Sequence, residues 1–189
     1  MTRSYTLKKR AEQQAETRQR IVDAAIELHT EIGPAKTTFS MVAEKAGVQR
    51  HTLYAHFPDE RALVMACSGH MQEQSPPPDA AAWRGIKDRR ERLTAGLGEI
   101  YRWFEKHAQL LSSVLRDAEH YALVREVSQL RYGPAIGLWH EVLGTGLKDK
   151  QHAMLNVALS FYTWRTLTRD SGLKTSAAVT AMVDTIERA

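Results

Sequence analysis

The spacing of apolar residues constrains the fold of this chain most, because they recur every three or four positions over most of the sequence. In the first such segment, predicted over residues 17–32, Ile21, Ala25, Leu28 and Ile32 share one helical face. Few segments alternate with the period of two that is typical of strands. The sequence therefore predicts an all-α fold of about nine helices.

Capping residues and glycine or proline breaks predict where the first helices begin and end. Gly33-Pro34 ends the first helix, since proline cannot continue the backbone hydrogen bonds. Thr38 is a suitable N-cap for a short helix over Phe39–Lys45. A turn centred on Gly47 then leads into a second short helix over Gln49–His56. This order predicts a long helix followed by two short ones.

The rest of the chain divides at a run of three prolines after Ser75. Asp59 is a suitable N-cap for a fourth helix, and a longer apolar segment predicts a single helix over Lys150–Thr168 before a last one from about Ser176. We expect four regions: a basic arm (1–16), a head of three helices (17–58), a connecting helix (59–74) and a C-terminal helical domain (75–189).

Composition excludes several classes of protein. The chain has 189 residues and one cysteine, Cys67, which rules out an internal disulfide and favours a reducing compartment such as the cytoplasm. No stretch approaches the roughly 18 apolar residues of a membrane span, and the basic N-terminus is not followed by the apolar region of a signal peptide. We expect a cytoplasmic protein without a membrane segment.

Positive charge is concentrated at the start of the chain. The first twenty residues hold six basic and two acidic side chains, a net charge of +4, and Lys8, Lys9 and Arg10 are consecutive. Such an arm can contact a polyanion, including DNA. The alternative is a solvated tail that only keeps the protein in solution.

The two short helices around Gly47 are typical of a helix-turn-helix, in which the second helix enters the major groove of DNA. The outer positions of that helix carry polar or amphipathic side chains that can contact phosphates or base edges, while Leu53 and Phe57 face inward. The outer residues are Gln49, Arg50, His51, Thr52, Tyr54 and His56. From periodicity alone, a corner between two helices in any bundle is an equal alternative.

The residues of this region resemble the TetR family of bacterial transcriptional regulators over positions 17–63. The resemblance rests on Thr17-Arg18, Ile21, Ala24-Ala25, Leu28, Gly33, Thr37-Thr38, Val42-Ala43, Ala46-Gly47-Val48, Thr52-Leu53-Tyr54, His56-Phe57 and Leu63. It implies an all-α homodimer with a DNA-binding head and a C-terminal domain that holds a small molecule. It also implies that ligand binding releases a repressor from its operator.

The resemblance assigns roles by position. Thr38, Thr52, Tyr54 and His56 match residues that contact DNA backbone or bases, whereas Gln49, Arg50 and His51 occupy variable positions that set sequence preference. This chain departs from the family twice. His51 stands where a small residue is common, and Glu60 replaces a phosphate-binding lysine, a loss for which Arg61 or the basic arm is expected to compensate.

Aromatic residues in the C-terminal half suggest a site for a small lipophilic or aromatic molecule. The candidates combine apolar bulk with nearby polar groups: Trp103, His107, Arg116, Trp139 and Phe161. The alternative is that these aromatic side chains only build the core, as most at helical spacing do.

The last two helices are the predicted homodimer interface, because the Lys150–Thr168 segment is apolar on several faces and the final helix carries small residues. The final helix combines Ala177, Ala178 and Ala181 with Val179, Met182 and Ile186. The alternative is packing of both helices within one subunit.

No constellation of catalytic residues is present in the sequence, and we expect neither an enzyme nor a bound metal or cofactor. Cys67 and His70 have metal-ligand spacing, but two ligands are too few for a stable site. The sequence thus predicts a ligand-responsive, sequence-specific DNA-binding repressor. A DNA-associated regulator controlled by a protein partner, without a small-molecule ligand, is the alternative.

Overall fold

The computed structural model describes the backbone of residues 2–189 and the side chains of residues 7–189. Over this range the chain forms α-helices and no strands, which confirms the all-α prediction. The helices are α1 (Thr2–Glu31), α2 (Phe39–Lys45), α3 (Arg50–His56), α4 (Glu60–Gln74), α5 (Arg89–Lys106), α6 (Ala108–Ala118), α7 (Ala122–Leu143), α8 (Asp149–Ala158), α9 (Phe161–Arg165) and α10 (Thr175–Arg188).

The chain forms two compact units. The N-terminal unit comprises Met1–Ser75 together with Ser112–Arg131, and the C-terminal unit comprises Pro76–Leu111 together with Tyr132–Ala189. The boundaries between the units fall inside α6 and α7, so each of these two helices contributes residues to both units.

The core of the N-terminal unit is built from the predicted apolar face of α1. Ile21, Ala25 and Leu28 are buried, and Ile32 packs at the edge of the same cluster. Helices α2, α3 and α4 cover this face with their own apolar residues, including Val42, Ala43, Leu53, Phe57, Leu63 and Cys67. Burial of this surface provides the main stabilisation of the small helical head.

Helix α1 begins at Thr2 rather than at the predicted Thr17. Residues 2–16 contain neither glycine nor proline and are rich in Lys, Arg, Glu, Gln and Ala, which all favour the helix. The side chains of residues 7–16 are exposed, so no apolar periodicity marks this stretch as helical. The basic arm is therefore a helical extension of α1.

Local hydrogen bonds define the helix-turn-helix as the sequence predicts. The Thr38 hydroxyl accepts from the amide of Met41 at 3.3 Å, at the start of α2. At the end of α2, Gly47 has a φ of 64°, and the amide of Val48 donates to the carbonyl of Ala43 at 2.9 Å. This is a Schellman cap, and its left-handed residue explains the need for glycine.

The core of the C-terminal unit lies between α5 and the helices at the end of the chain. Leu93, Leu97, Ile100 and Phe104 lie on one face of α5 and are buried. Helix α10 packs against this helix and against α8. The buried residues of α10 are Ala178, Val179, Met182, Val183 and Ile186.

The prediction of one helix over Lys150–Thr168 is wrong. The segment forms α8, α9 and a π-helical turn at Thr166–Asp170, with the first break at Leu159–Ser160. Ser160 has a ψ of 129°, which is not helical, and its hydroxyl accepts from the amide of Tyr162 at 3.2 Å. Ser160 is thus the N-cap of a new helix, because serine competes for backbone donors at helix starts.

Candidate nucleic-acid interface

The outer face of α3 carries side chains that are free to meet a ligand. Gln49, Arg50 and His51 are exposed, and Gln49 makes no side-chain capping bond although it is the N-cap residue. Among the side chains of residues 7–189, no carboxylate lies within ion-pair distance of Arg50. Leu53 and Phe57, at 0% and 1% exposure, face inward as predicted. The head therefore presents polar groups on a helix held by an apolar core.

Tyr54 is the large exposed side chain of this face, with 46% of its surface accessible. Its ring lies 5.1 Å from the ring of Phe39, the first residue of α2. An aromatic pair of this kind restricts the tyrosine while its hydroxyl stays available for hydrogen bonding. Helix α2 therefore helps to orient a predicted DNA contact on α3.

The other predicted contacts flank this face. Thr38 is exposed, and because its oxygen accepts the capping bond, the hydroxyl hydrogen remains available to a phosphate. Thr52 is half-buried with its hydroxyl 3.4 Å from Nε2 of His51. His56 is half-buried at the last position of α3.

The predicted basic contacts of the arm, Lys8, Lys9 and Arg10, are exposed on α1. Within the part of the chain whose side chains are described, no acidic group pairs with them, whereas Lys45 is paired with Glu27 and Glu31 at 3.0 and 3.1 Å. The charge of Lys8, Lys9 and Arg10 is therefore available to a polyanion.

The junction between α3 and α4 holds the acidic substitution noted in the sequence. Burial raises the pKa of Tyr121 to about 12, and the hydrogen bond between the Tyr121 hydroxyl and the carboxylate of Glu60 acts in the same direction. The neighbouring guanidinium of Arg61 donates to both carboxylate oxygens of Glu126, at 2.7 and 2.8 Å. Arg61, expected to compensate for Glu60, is thus already held by an acidic partner on α7.

The C-terminal end of α6 holds the connection between α1 and α2, a contact that the sequence analysis missed. Asp117 is buried and accepts from the amide of Ala35 at 2.9 Å and from Nε of Arg116 at 2.8 Å. Nη2 of Arg116 donates to the carbonyl of Ile32 at 3.0 Å, and the hydroxyl of Ser113 donates to the carbonyl of Thr30 at 3.1 Å. The pKa of Asp117 is lowered: burial opposes ionisation, but the bonds from Arg116 and Ala35 outweigh it.

A buried histidine lies beside this polar cluster. His29 is 6% exposed, and desolvation lowers its pKa to about 4, while the nearby charge of Asp117 acts in the opposite direction. The imidazole is therefore neutral at physiological pH. The spacing of Ser113, Arg116 and Asp117 on one face of α6 was the available signal for this contact.

Four of the five predicted ligand residues join one aromatic network in the C-terminal unit. The ring of Trp103 lies 5.2 Å from that of His107 and 6.4 Å from that of Trp139. Phe161 contacts Phe104 at 5.5 Å, and Phe104 in turn contacts Trp103 at 5.9 Å. The rings touch one another directly, and the indole of Trp139 donates to the carbonyl of Pro78 at 2.8 Å.

The fifth predicted ligand residue, Arg116, does not join that network. It belongs to the N-terminal unit, where Asp117 and the carbonyl of Ile32 bind its guanidinium. The C-terminal unit instead contains a cavity of about 120 Å³ lined by residues that were not predicted: Arg84, Arg92, Glu141, Val142 and Thr145.

The predicted dimer helices bury much of their apolar surface within one subunit. Ala178, Val179, Met182 and Ile186 of α10 are buried, while Ala177 is exposed and Ala181 is half-buried. Exposed apolar residues nearby in sequence are Val157, Tyr162 and Leu173, with accessible fractions of 43%, 37% and 38%.

Among the residues described by the structure, no group of three or more His, Cys, Asp or Glu side chains is placed to hold a metal ion. Within the same residues, no helix is long and apolar enough to cross a membrane.

Known sequences match the head of this chain. The family model described as bacterial regulatory proteins, tetR family, matches residues 21–67. The transcriptional regulators SrpR and TtgW, both of Pseudomonas putida, are each 41% identical over 59 residues. The match covers 31% of this chain, and 28% of SrpR and 44% of TtgW, so it spans less than half of either relative.

Solved structures match most of the chain. A TetR-like regulator from Rhodococcus sp. RHA1 has a TM-score of 0.65 and 21% identity, covering 91% of this chain and 94% of the other. NalD, a secondary repressor of the MexAB-OprM multidrug efflux pump in Pseudomonas aeruginosa, has a TM-score of 0.64 and 21% identity. This match covers 94% of this chain and 96% of NalD. FadR of Bacillus subtilis, in complex with stearoyl-CoA, has a TM-score of 0.61 and 16% identity. This match covers 89% of this chain and 96% of FadR.

The structural matches show that the chain shares its fold with these regulators. The family model matches the part of the chain that forms the three-helix head. The helix-turn-helix with its Schellman turn and outward-facing α3 lies inside the matched residues. Residues 21–67 are therefore similar to the tetR family of bacterial regulatory proteins, and the chain shares the fold of the solved TetR-like regulators.

Proposed function

We propose that this protein is a cytoplasmic, sequence-specific DNA-binding regulator of transcription in which α3 reads the major groove. The observation that carries the proposal is the exposed polar face of α3, which is free of internal pairing at Gln49 and Arg50 and is anchored by Leu53. Arginine and glutamine recognise base edges through paired hydrogen bonds. Thr38, Thr52, Tyr54 and His56 supply contacts to the DNA backbone or bases.

The basic extension of α1 adds affinity that does not depend on sequence. Lys8, Lys9 and Arg10 are exposed and unpaired among the described side chains, so they release counterions when they meet phosphates. We assign base recognition to Gln49, Arg50 and His51, and phosphate contacts to the extension. Binding should accordingly weaken as salt concentration rises.

The protein is proposed to bind a palindromic operator as a homodimer. Two α3 helices roughly 34–36 Å apart would enter successive major grooves. The surface proposed for the partner contact combines the small residues of α10 with exposed apolar side chains around α8 and α9. These are Ala177, Ala181, Val157 and Tyr162.

The C-terminal unit is proposed to bind a small lipophilic or aromatic molecule that releases a repressor from DNA. The aromatic network around Trp103, His107, Trp139 and Phe161 offers apolar walls, and its directly touching rings must separate to admit a ligand. FadR of Bacillus subtilis, which shares the fold, is in complex with stearoyl-CoA, whose acyl chain is apolar. Only a ligand that prefers the released conformation can act in this way.

Helix α6 is the proposed route from ligand to head. Its first residues belong to the C-terminal unit, and its last turn holds the α1–α2 connection through Asp117, Arg116 and Ser113. Movement of this helix would change the position of α2 and α3 relative to the DNA. A coupling of this kind requires two packing arrangements of the same helix.

Selection of bound duplexes from a random DNA pool at near-physiological salt tests the proposal. We expect a palindromic consensus, with half-site centres about one helical turn apart. Retention of DNA without a consensus would leave only nonspecific charge attraction and would contradict sequence-specific reading. Light scattering at micromolar concentration should give the mass of a dimer, and a monomer would contradict the proposed assembly.

A further inference from the structure

A cavity at the end of α7 is lined in part by a buried arginine that belongs to neither the proposed DNA site nor the proposed ligand site. Arg92 on α5 is 7% exposed and borders a cavity of about 120 Å³. Arg84, Glu141, Val142 and Thr145 line the rest of this cavity. It is large enough for a group the size of phosphate or a short carboxylate, since one water occupies about 30 Å³.

The guanidinium of Arg92 is only partly satisfied. Nη1 donates to the carbonyls of Ile86 at 2.8 Å and Lys87 at 3.4 Å, and Nη2 donates to that of Thr145 at 3.0 Å. The buried Nε has no partner among the described residues. A guanidinium has five N–H donors, so the edge formed by Nε and Nη2 retains unused hydrogens.

The charge of Arg92 also lacks an acidic partner. Across the side chains of residues 7–189, no carboxylate comes within 4.0 Å of this guanidinium, although other arginines of the same unit, Arg84, Arg89 and Arg90, are paired. Carbonyl dipoles alone offset its desolvation. A buried cation normally has an anionic partner, because isolated burial of charge is costly.

A second arginine stands at the solvent-exposed rim of the cavity. Nη2 of Arg84 lies 3.0 Å from a carboxylate oxygen of Glu141, and both side chains are more than half exposed. Exposed ion pairs of this kind contribute little to stability and exchange readily with other partners. The two arginines and one glutamate that line the cavity together carry a net charge of +1.

We propose that this cavity binds a small oxyanion between the guanidinium groups of Arg84 and Arg92. The ligand would be inorganic phosphate or a short carboxylate, or the same group on a larger molecule. The guanidinium of Arg92 borders the cavity and has a hydrogen-bond donor without a partner, and Arg84 closes the outer side when it leaves Glu141. The site lies within the C-terminal unit and does not depend on DNA binding.

The test measures phosphate binding by calorimetry on the full chain, with chloride at matched ionic strength as the reference. Acetate in a parallel titration distinguishes a carboxylate from a phosphate ligand. Glu141→Gln removes the competing carboxylate and should tighten binding at least threefold, whereas Arg84→Gln should weaken it at least threefold. Arg102→Gln, an exposed change on the same helix as Arg92, is the control and should leave the dissociation constant unchanged.

The comparison among variants decides the proposal, because the basic head can also attract phosphate. Saturable binding of either oxyanion that responds to Glu141→Gln and Arg84→Gln, but not to Arg102→Gln, supports the site. The absence of saturable binding beyond chloride would overturn it. Equal affinities in all three variants would show adventitious surface binding and would overturn it as well. These substitutions change exposed side chains, so they should not prevent folding.

Discussion

The head and the C-terminal unit place their candidate functional side chains in opposite ways. On α3, Arg50, His51 and Tyr54 point outward from a core that is complete without them. In the C-terminal unit, Trp139 and Phe161 are themselves part of the core, with 3% and 4% of their surfaces accessible. Substitutions in the head can therefore separate binding from stability, whereas substitutions in the aromatic network affect both.

This difference also bears on how each region would work. The face of α3 can meet DNA without rearrangement of its core, since its side chains are already exposed. A ligand in the aromatic network must replace contacts between rings with contacts to itself, so its affinity includes the cost of opening. We expect the head to be the more rigid region, and we expect the aromatic network to rearrange when a ligand binds.

The largest expected effect separates inner from outer positions of α3. Leu53→Ala removes a fully buried side chain and should lower the free energy of unfolding by about 2–5 kcal/mol. Arg50→Ala should change it by less than about 0.5 kcal/mol and yet weaken DNA binding. Urea unfolding and fluorescence anisotropy measure the two quantities. Similar stability losses in both variants would contradict the division of α3 into two faces.

The pH dependence of stability tests the polar contact behind the head. Because burial lowers the pKa of His29 to about 4 in the folded state, the unfolded chain binds more protons between pH 6.5 and 4. Stability should therefore fall by about 3 kcal/mol as the pH is lowered through this window. His29→Gln should flatten the dependence in urea unfolding series at several pH values. An equally steep dependence in this variant would exclude His29 as the cause.

Removal of Asp117 should have a somewhat smaller effect. Asp117→Ala leaves the amide of Ala35 without its acceptor, and we expect a loss of about 1–3 kcal/mol. Gln109→Ala, an exposed change on the same helix, is the control and should alter stability little. Thermal unfolding followed by circular dichroism measures both variants. A loss no larger than in the control would show that this contact does not support the head.

The smallest effect concerns the ion pair at the start of α4. Glu126→Gln should free Arg61 for a phosphate, raise DNA affinity roughly three- to tenfold and increase the salt dependence by about one phosphate contact. Glu73→Gln removes the same charge from an exposed position of α4 and serves as the control. Anisotropy titrations at several salt concentrations distinguish the two. Equal gains in both variants would indicate a general charge effect.

The sequence predicted the head closely because short-range chemistry defines it. Thr38 caps α2 and Asp59 accepts from the amide of Ala62 at 2.7 Å, as their residue types indicate. Gly47 is placed where the backbone needs a positive φ. Each of these signals acts within a few residues, so it can be recognised without knowledge of the tertiary structure.

Long-range contacts explain part of what the sequence did not predict. Arg116 was expected to bind a ligand, but its guanidinium donates to Asp117 and to the carbonyl of Ile32, which is 84 residues away in the sequence. Ser160 begins a new helix inside an apolar stretch, where periodicity favoured continuation. The same spacing of aromatic residues can build a core or line a site, so the pattern of Trp103 and Trp139 did not decide between them.

The most direct test of sequence-specific reading by α3 compares selected DNA sites for the wild-type protein and for Arg50→Ala. Both proteins are incubated with the same random duplex pool at near-physiological salt, and the bound fraction is sequenced. We expect a palindromic consensus for the wild type, and for the variant the same half-site spacing with relaxed preference at specific base pairs. An identical consensus for both, or no consensus for the wild type, would contradict the assignment of Arg50 and α3 as the reading element.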